Sequence, residues 1–267
     1  MFSIITPTFN RAKILNLSLD SSIIFSRDFY AADELIIIDD ASTDNTSDYV
    51  MSSYKKHLDE GFIKYLSLTI NRGVTSAKNS GALRASNDWL VFLDSDDQLL
   101  PGARDTIISA LSDFPETDVF FFRCVDDTFN LVGPEINESR ILSVSELIKH
   151  GTYGECLPVI RKSLFIAYPY DDDLRGFEGL TYLKMVMSGA VLRIIKDPVR
   201  KYSLLGDDRL STKLNLLLRS DSILLGHRRY YELAKTELEV LARVFIKLKI
   251  FKYCLLSVVG FVLRKFL

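Results

Sequence analysis

Cysteine is scarce and scattered. Cys124, Cys156 and Cys254 are odd in number and far apart, and no Cys-x-x-Cys pair is present, so a disulfide framework is excluded and a reducing cytosol fits. Histidine is as thin: His57, His150 and His227 stand at unrelated positions, which removes the usual ligand sets of a zinc site. Neither sign of charge dominates. With 33 basic against 35 acidic residues the net charge is −2, which excludes a chain built to coat nucleic acid. No uncharged apolar run reaches the roughly 18 to 20 residues of a membrane-spanning helix. Tyr253 to Leu263 comes nearest and has basic residues on both sides. No leader segment is expected either, because Met1 to Thr8 is already strand-like. Repeats and low-complexity tracts are absent. What remains, 267 residues at 48% hydrophobic and 25% charged, suits one large α/β domain with or without an appendage.

Apolar strand-like runs and helix-period segments alternate through the first half. Phe2 to Thr6 reads as a strand stopped by Pro7, and Glu34 to Ile38, Ile63 to Leu68, Trp89 to Leu93 and Asp118 to Cys124 read as further strands. Helical spacing occupies Arg11 to Ser26, Tyr49 to Leu58, Thr75 to Ala85 and Ala103 to Ser112. A period of roughly 25 to 35 residues predicts βαβ units and a largely parallel sheet. Val144 to Lys149 reads as a short helix, and from Leu214 onward only helical spacing persists.

Polar residues gather where the strands end. Thr8 to Arg11, Asp39-Asp40, Asn71-Arg72 and Asp94 to Asp97 would all meet at one rim, the place where open α/β sheets bind ligands. Asp94, Asp96 and Asp97 put three carboxylates within four residues after the run Trp89 to Leu93. Carboxylates this close repel unless a cation stands between them. Hard ions such as Mg²⁺ or Mn²⁺ prefer such oxygen ligands and in turn bind phosphate. The plainer alternative is a polar turn with a helix cap.

Four blocks, in order, resemble glycosyltransferase family 2. They are Ser3-Ile-Ile-Thr-Pro-Thr-Phe-Asn-Arg11, Leu35-Ile-Ile-Ile-Asp-Asp-Ala-Ser-Thr-Asp44, Asn71-Arg-Gly-Val-Thr-Ser-Ala-Lys-Asn-Ser-Gly81 and Phe92-Leu-Asp-Ser-Asp-Asp97. Ala41 stands where the family usually has Gly, and Lys78 where it has Arg. The resemblance implies the GT-A fold, a Rossmann-like, mostly parallel sheet flanked by helices. It implies an inverting transfer from a nucleotide sugar, most often a UDP-sugar, to a hydroxyl, with Mn²⁺ or Mg²⁺ as cofactor. Carried onto this chain, Thr6, Pro7 and Phe9 would border the nucleotide and Asp39 would accept from the base, with Asp40 supporting the loop. Arg72 and Lys78 would meet base, ribose or diphosphate. Asp94 and Ser95 would lie by ribose or metal, Asp96 would be the main metal ligand, and Asp97 would support it or face the acceptor. Asn79 and Gly81 would shape turn and packing.

Inversion also needs a base for the acceptor hydroxyl. The family places it in a Glu-Asp pair before a helix with a basic residue, which Gly176-Phe-Glu-Gly-Leu-Thr-Tyr-Leu-Lys-Met185 resembles with Phe177 for the Glu and Glu178 for the Asp. Glu178 is therefore the expected base; Asp171, Asp172 and Asp173 compete, and a plain helix-start acid is the alternative. The later segment Ser203 to Ser211 resembles the family's loop over the diphosphate, with its His missing and Arg209 offering a cation instead.

The tail differs. Val240 to Leu267 carries Arg243, Lys247, Lys249, Lys252, Arg264 and Lys265 and no acid, among many apolar residues. This composition suits an amphipathic helix at a membrane interface, or a helix packed on the domain or on a partner subunit. The expected organisation is a catalytic domain over 1–212 and a helical region over 213–267. The expected acceptor is a lipid-linked or oligosaccharide glycan in cell-surface polysaccharide or lipopolysaccharide synthesis, at the cytoplasmic face of the inner membrane. A non-catalytic nucleotide-binding scaffold and a receiver-like switch, suggested by Asp39-Asp40, are the competing classes.

Overall fold

The structure, a computed structural model, describes residues 1–29, 32–203 and 213–263. In chain order its elements are β1 (Phe2–Thr8), α1 (Asn16–Ser26), β2 (Glu34–Asp39), α2 (Thr46–Ser53), α3 (Lys55–Asp59), β3 (Ile63–Ser67), α4 (Val74–Arg84), β4 (Trp89–Phe92), β5 (Gln98–Leu99) and α5 (Ala103–Asp113). There follow β6 (Val119–Val125), β7 (Arg140–Ile141), α6 (Val144–His150), β8 (Cys156–Arg161), α7 (Lys162–Ala167), α8 (Gly179–Met187), β9 (Leu192–Lys201), α9 (Lys213–Leu218), α10 (Ser220–Ala234) and α11 (Val240–Leu263).

The strands form one mixed sheet in the order β3-β2-β1-β4-β8-β6-β9-β5, with β7 beside β9. The β3-β2-β1-β4 half is parallel, as the βαβ spacing requires. β8 then runs antiparallel between β4 and β6, and β9 returns parallel to β6. Strand side chains alternate between two cores: Val91 and Leu93 face the layer built on α1, α2 and α5, while Leu90 and Phe92 face α4, α6, α7 and α8. The small residues of α4 let it sit close to β1. A Cβ at Gly81 would lie 2.5 Å from Ile5 Cγ2, so only glycine fits there.

Pro7 does not end the first strand. β1 continues to Thr8, with Pro7 opposite Ile38. Pairing with β4 stops at Ile5, whose carbonyl accepts from Leu93, so by alternation Pro7 turns its missing N–H toward the side that β4 has already left. The helix expected over Tyr49 to Leu58 divides at Tyr54, whose hydroxyl donates to Asp20 at 2.8 Å. β9 lies in a segment for which the sequence predicts no element, and Lys196-Asp197-Pro198 within it looks like a turn. It is a bulge instead: Phe122 pairs Ile195, and the next residue, Arg123, pairs Pro198.

Glu34 ties three segments together at the start of β2. Its carboxylate accepts from Ser3 Oγ at 2.5 Å, from the Ser86 amide at 2.5 Å and hydroxyl at 2.7 Å, and from Lys64. Burial alone would raise its pKa, but these donors outweigh burial and lower it to about 2, from an ordinary 4.5. A carboxylate depressed on folding stabilises fully above its unfolded pKa and loses that contribution as pH falls through its folded pKa. Stability should therefore drop by on the order of 2 to 3 kcal/mol between about pH 5 and pH 2. Denaturant titrations across that window check it. Glu34→Gln should flatten the same stretch of the curve, and an unchanged slope in the variant would remove Glu34 from the account.

Candidate active site

The strand ends meet at one rim, and their loops hold one another by backbone amides. Asn10, just past β1, adopts a left-handed conformation (φ 53°), which Asn tolerates better than most residues. Its amide donates to Ser42 Oγ at 2.8 Å, and its side-chain oxygen accepts from the Thr43 and Asp44 amides at 2.7 and 3.2 Å. Asp40, after β2, accepts from the amides of Arg72 (2.9 Å) and Gly73 (2.6 Å), fixing the turn before α4. Ala41, in place of the usual Gly, is left-handed (φ 64°), a conformation that costs an L-residue roughly 1 kcal/mol. Asp39 is buried, and its two oxygens accept from the Ser42 amide at 2.8 Å and from the Tyr65 hydroxyl. A carboxylate has about four acceptor positions, so an N–H of a bound base can still be received.

The other expected nucleotide contacts line the same rim. Thr6 and Pro7 are buried in β1, and Phe9 is exposed beyond it. Among the described residues the buried hydroxyls of Thr6 and Thr8 have no hydrogen-bond partner. Both stand on the face of β1 that carries Ile4 into the core, closed to solvent. Arg72 is exposed, and Ser95 is buried between the aspartates. Arg209 and Ser211 lie outside the described residues.

The three aspartates after β4 have separate partners. Asp94 Oδ1 meets Lys78 Nζ at 2.8 Å. Burial works against both charges, but the pairing wins: the Lys78 ammonium is held up, with Glu178 also favouring it, and the Asp94 carboxyl is held down. Asp96 lies 3.8 Å from Arg11, with its side chain 30% exposed. Asp97 meets a different cation. It is buried, 3.1 Å from the buried Arg200, and accepts from the Ser203 amide at 3.1 Å. Burial pushes the Asp97 carboxyl up to about 7; Arg200 opposes this, while Asp94 and Asp96 add to it. Adjacent acids thus do different work: Asp97 anchors β9 to the rim.

Among the described residues no group of three or more His, Cys, Asp or Glu side chains could enclose a metal unaided. Mg²⁺ and Mn²⁺ commonly take one or two carboxylates and complete their shell with phosphate oxygens and water. The half-exposed Asp96 beside Asp94 fits an ion of that kind, bound together with a diphosphate.

Lys78 and Asp94 open into a cavity of about 500 Å³. Glu178 and Arg200 line it too, as do Glu155, Tyr170, Tyr182 and Tyr230. Glu178 stands at the entry to α8 and makes no side-chain cap hydrogen bond there. The competing acids are engaged elsewhere. Asp171 pairs with Lys184 at 2.8 Å, Asp172 accepts from Asn79 at 2.6 Å, and Asp173 takes Arg229 through both oxygens at 2.8 and 2.7 Å. Asn79 also exchanges hydrogen bonds with the backbone of Tyr170, whose hydroxyl meets that of Tyr182 at 2.8 Å. The Lys78 helix is thereby coupled to the Glu178 helix.

Phe177, in the place of the usual Glu, has a packing task. A Cβ at Gly226 of α10 would lie 2.5 Å from its ring, and His227 meets it edge-on at 5.5 Å. Sequence reasoning missed Asn10 and Arg200. Asn10 follows a strand and tolerates left-handed backbone, a usable signal. Arg200 has none, since nothing separates it from Lys201 beside it.

Residues 3–166 match the sequence profile described as Glycosyl transferase family 2. A GalNAc(5)-diNAcBac-PP-undecaprenol beta-1,3-glucosyltransferase of Campylobacter jejuni is 30% identical over 188 residues, 68% of this chain and 59% of that protein. This chain therefore spans well under two thirds of that relative's length. S. aureus TarS in complex with UDP-GlcNAc superposes with a TM-score of 0.68 at 18% identity, covering 95% of this chain and 71% of that one. The mannosyltransferase PcManGT of Pyrobaculum calidifontis, in complex with GDP-Man and Mn²⁺, superposes with a TM-score of 0.62 at 16% identity, covering 99% and 74%. At these identities the superpositions speak for the fold, a GT-A-like mixed α/β sheet with helices.

Proposed function

Since the chain belongs to glycosyltransferase family 2, we propose that it moves a sugar from a UDP-sugar to a hydroxyl of a lipid-linked glycan, inverting the anomeric carbon. Membership in the family sets a receiver-like switch aside. The observation that carries the proposal is the shared cavity: Lys78, Asp94, Glu178 and Arg200 line one space at the strand rim. The lipid-linked acceptor is taken from the Campylobacter relative, whose name places its own acceptor on undecaprenol diphosphate.

The chemistry follows from the side chains. The base and ribose would lie along Phe9, Asp39 and Arg72. The acceptor oxygen gives its proton to Glu178 as it bonds to the anomeric carbon, while the bond from that carbon to the diphosphate oxygen breaks. Negative charge then grows on the leaving diphosphate, where the fixed cations Lys78 and Arg200 stabilise it. Asp96, with Asp94, would hold a divalent ion, which supplies further charge stabilisation on the diphosphate when bound. Phe177 at the position of the usual Glu supports an active enzyme rather than a decayed scaffold, because its ring seats α10 and leaves Glu178 on the cavity.

Thermal unfolding with a panel of UDP-sugars and GDP-mannose, with and without Mn²⁺, tests this. A ligand at a hundred times its Kd stabilises by about 2.7 kcal/mol. One UDP-sugar with Mn²⁺ is expected to raise Tm by several degrees, and Asp96→Ala to lose the Mn²⁺-dependent part. No shift with any nucleotide sugar, or full metal-dependent transfer by Asp96→Ala, would count against the proposal.

A further inference from the structure

We infer that the outer face of α11 docks flat onto an anionic lipid bilayer. At 100° per residue, Val244, Leu248, Phe251, Leu255 and Val258 fall within about 40° of one line along the helix. All five are between 48% and 65% exposed, with Val240 and Phe245 also bare at 74% and 65%. The opposite side is spoken for. Ala242 and Ile246 pack with Leu183, Ala234 and Leu238, and Tyr253 meets His227 of α10 at 5.4 Å between ring centres. The exposed line is therefore a face with no protein layer over it among the described residues.

Charge selects the occupant. Lys247 lies about 60° to one side of the line and Lys252 about 80° to the other. Lys247, Lys249 and Lys252 are all exposed, and no acid occurs from Val240 to Leu267. A second copy meeting this face would bring lysine against lysine with no glutamate or aspartate to pair, which coiled-coil flanks avoid. Anionic head groups complement both rows, while the apolar line enters the acyl boundary between them. No helix among the described residues is long and apolar enough to cross a membrane, so the helix lies along the surface.

The placement matters for the acceptor, a consequence that rests on the proposed transfer, whereas docking does not. Ile246 of α11 packs in one cluster with Ile148 and Tyr230, and those two line the cavity. The cluster on which α11 packs therefore reaches the lining of the cavity that holds Glu178. A lipid-linked glycan would need to rise only a short way from the surface.

The test is flotation of the full chain with vesicles of phosphatidylcholine alone and of phosphatidylcholine with about one-third phosphatidylglycerol. Binding to the anionic vesicles, weakened by salt, is expected, with little binding to the neutral ones. The double variant Lys247→Gln with Lys252→Gln should lower partitioning by roughly 25-fold, at about fivefold per charge. Phe251→Ser with Leu255→Ser should lower it independently while leaving thermal unfolding in place, because both side chains are exposed. Absence of binding to anionic vesicles, or binding unchanged in both variants, would overturn the inference. So would a dimer in light scattering that Phe251→Ser with Leu255→Ser converts to monomer without any lipid binding. These readouts need no turnover, so they fail or succeed apart from the transfer itself.

Discussion

Glu178→Gln is expected to lower kcat by about 10² to 10⁴-fold, the range lost with a positioned general base, while the Kd for the nucleotide sugar stays within about twofold. The substitution keeps shape and removes only the ability to take a proton. Glu178 lines the cavity beside Lys78 and Asp94 and makes no side-chain cap hydrogen bond at the start of α8, whereas Asp94 is paired with Lys78 and Glu155 lies 3.6 Å from Arg200. Asp171, Asp172 and Asp173 are each held by Lys184, Asn79 or Arg229, so shifting the base to one of them would first break a contact that orders the loop. Single-turnover rates with saturating donor separate the chemical step from binding. Full activity in the variant would move the base elsewhere; lost donor binding would mean that Glu178 holds substrate rather than its proton.

Arg200→Met should be the most destabilising change near the rim. Arg200 and Asp97 are 3% and 1% exposed and 3.1 Å apart, and Arg200 also donates to Cys124 Sγ at 3.0 Å. Removing one member of a buried pair leaves the other uncompensated, at a cost of about 3 to 5 kcal/mol. In a chain of this length that corresponds to a Tm lowered by roughly 10 °C. The pair itself contributes far less than this figure, since burying both charges is costly. The double variant Asp97→Asn with Arg200→Met should therefore recover much of the loss, a non-additivity that a double-mutant cycle reads directly. A Tm within a degree of wild type in the single variant would show that Arg200 is not the partner holding Asp97.

Much of the rim was legible because it is written in local patterns. Strands ending in Asp39-Asp40 and in Asp94 to Asp97 place their acids at one edge by topology alone, and the small residues of Thr75 to Ala85 announced a helix that packs closely. The direction of β8 was not legible, because an apolar run fits a parallel or an antiparallel neighbour equally well. β9 stands unassigned in the sequence, and its register breaks at a bulge beside Pro198 that no local pattern announces. The division of labour among Asp94, Asp96 and Asp97 was also out of reach. It is decided by which cation each meets, and those cations come from Lys78, Arg11 and Arg200, far apart in the chain.

The loops caught together by Asn10 and Asp40 behave as a single casting. A ligand that settles against these two loops meets backbone already held in place, so little of its affinity is spent on ordering them. At this part of the rim, selectivity is then written into a preformed mould, and the entropic penalty of donor capture there should be small.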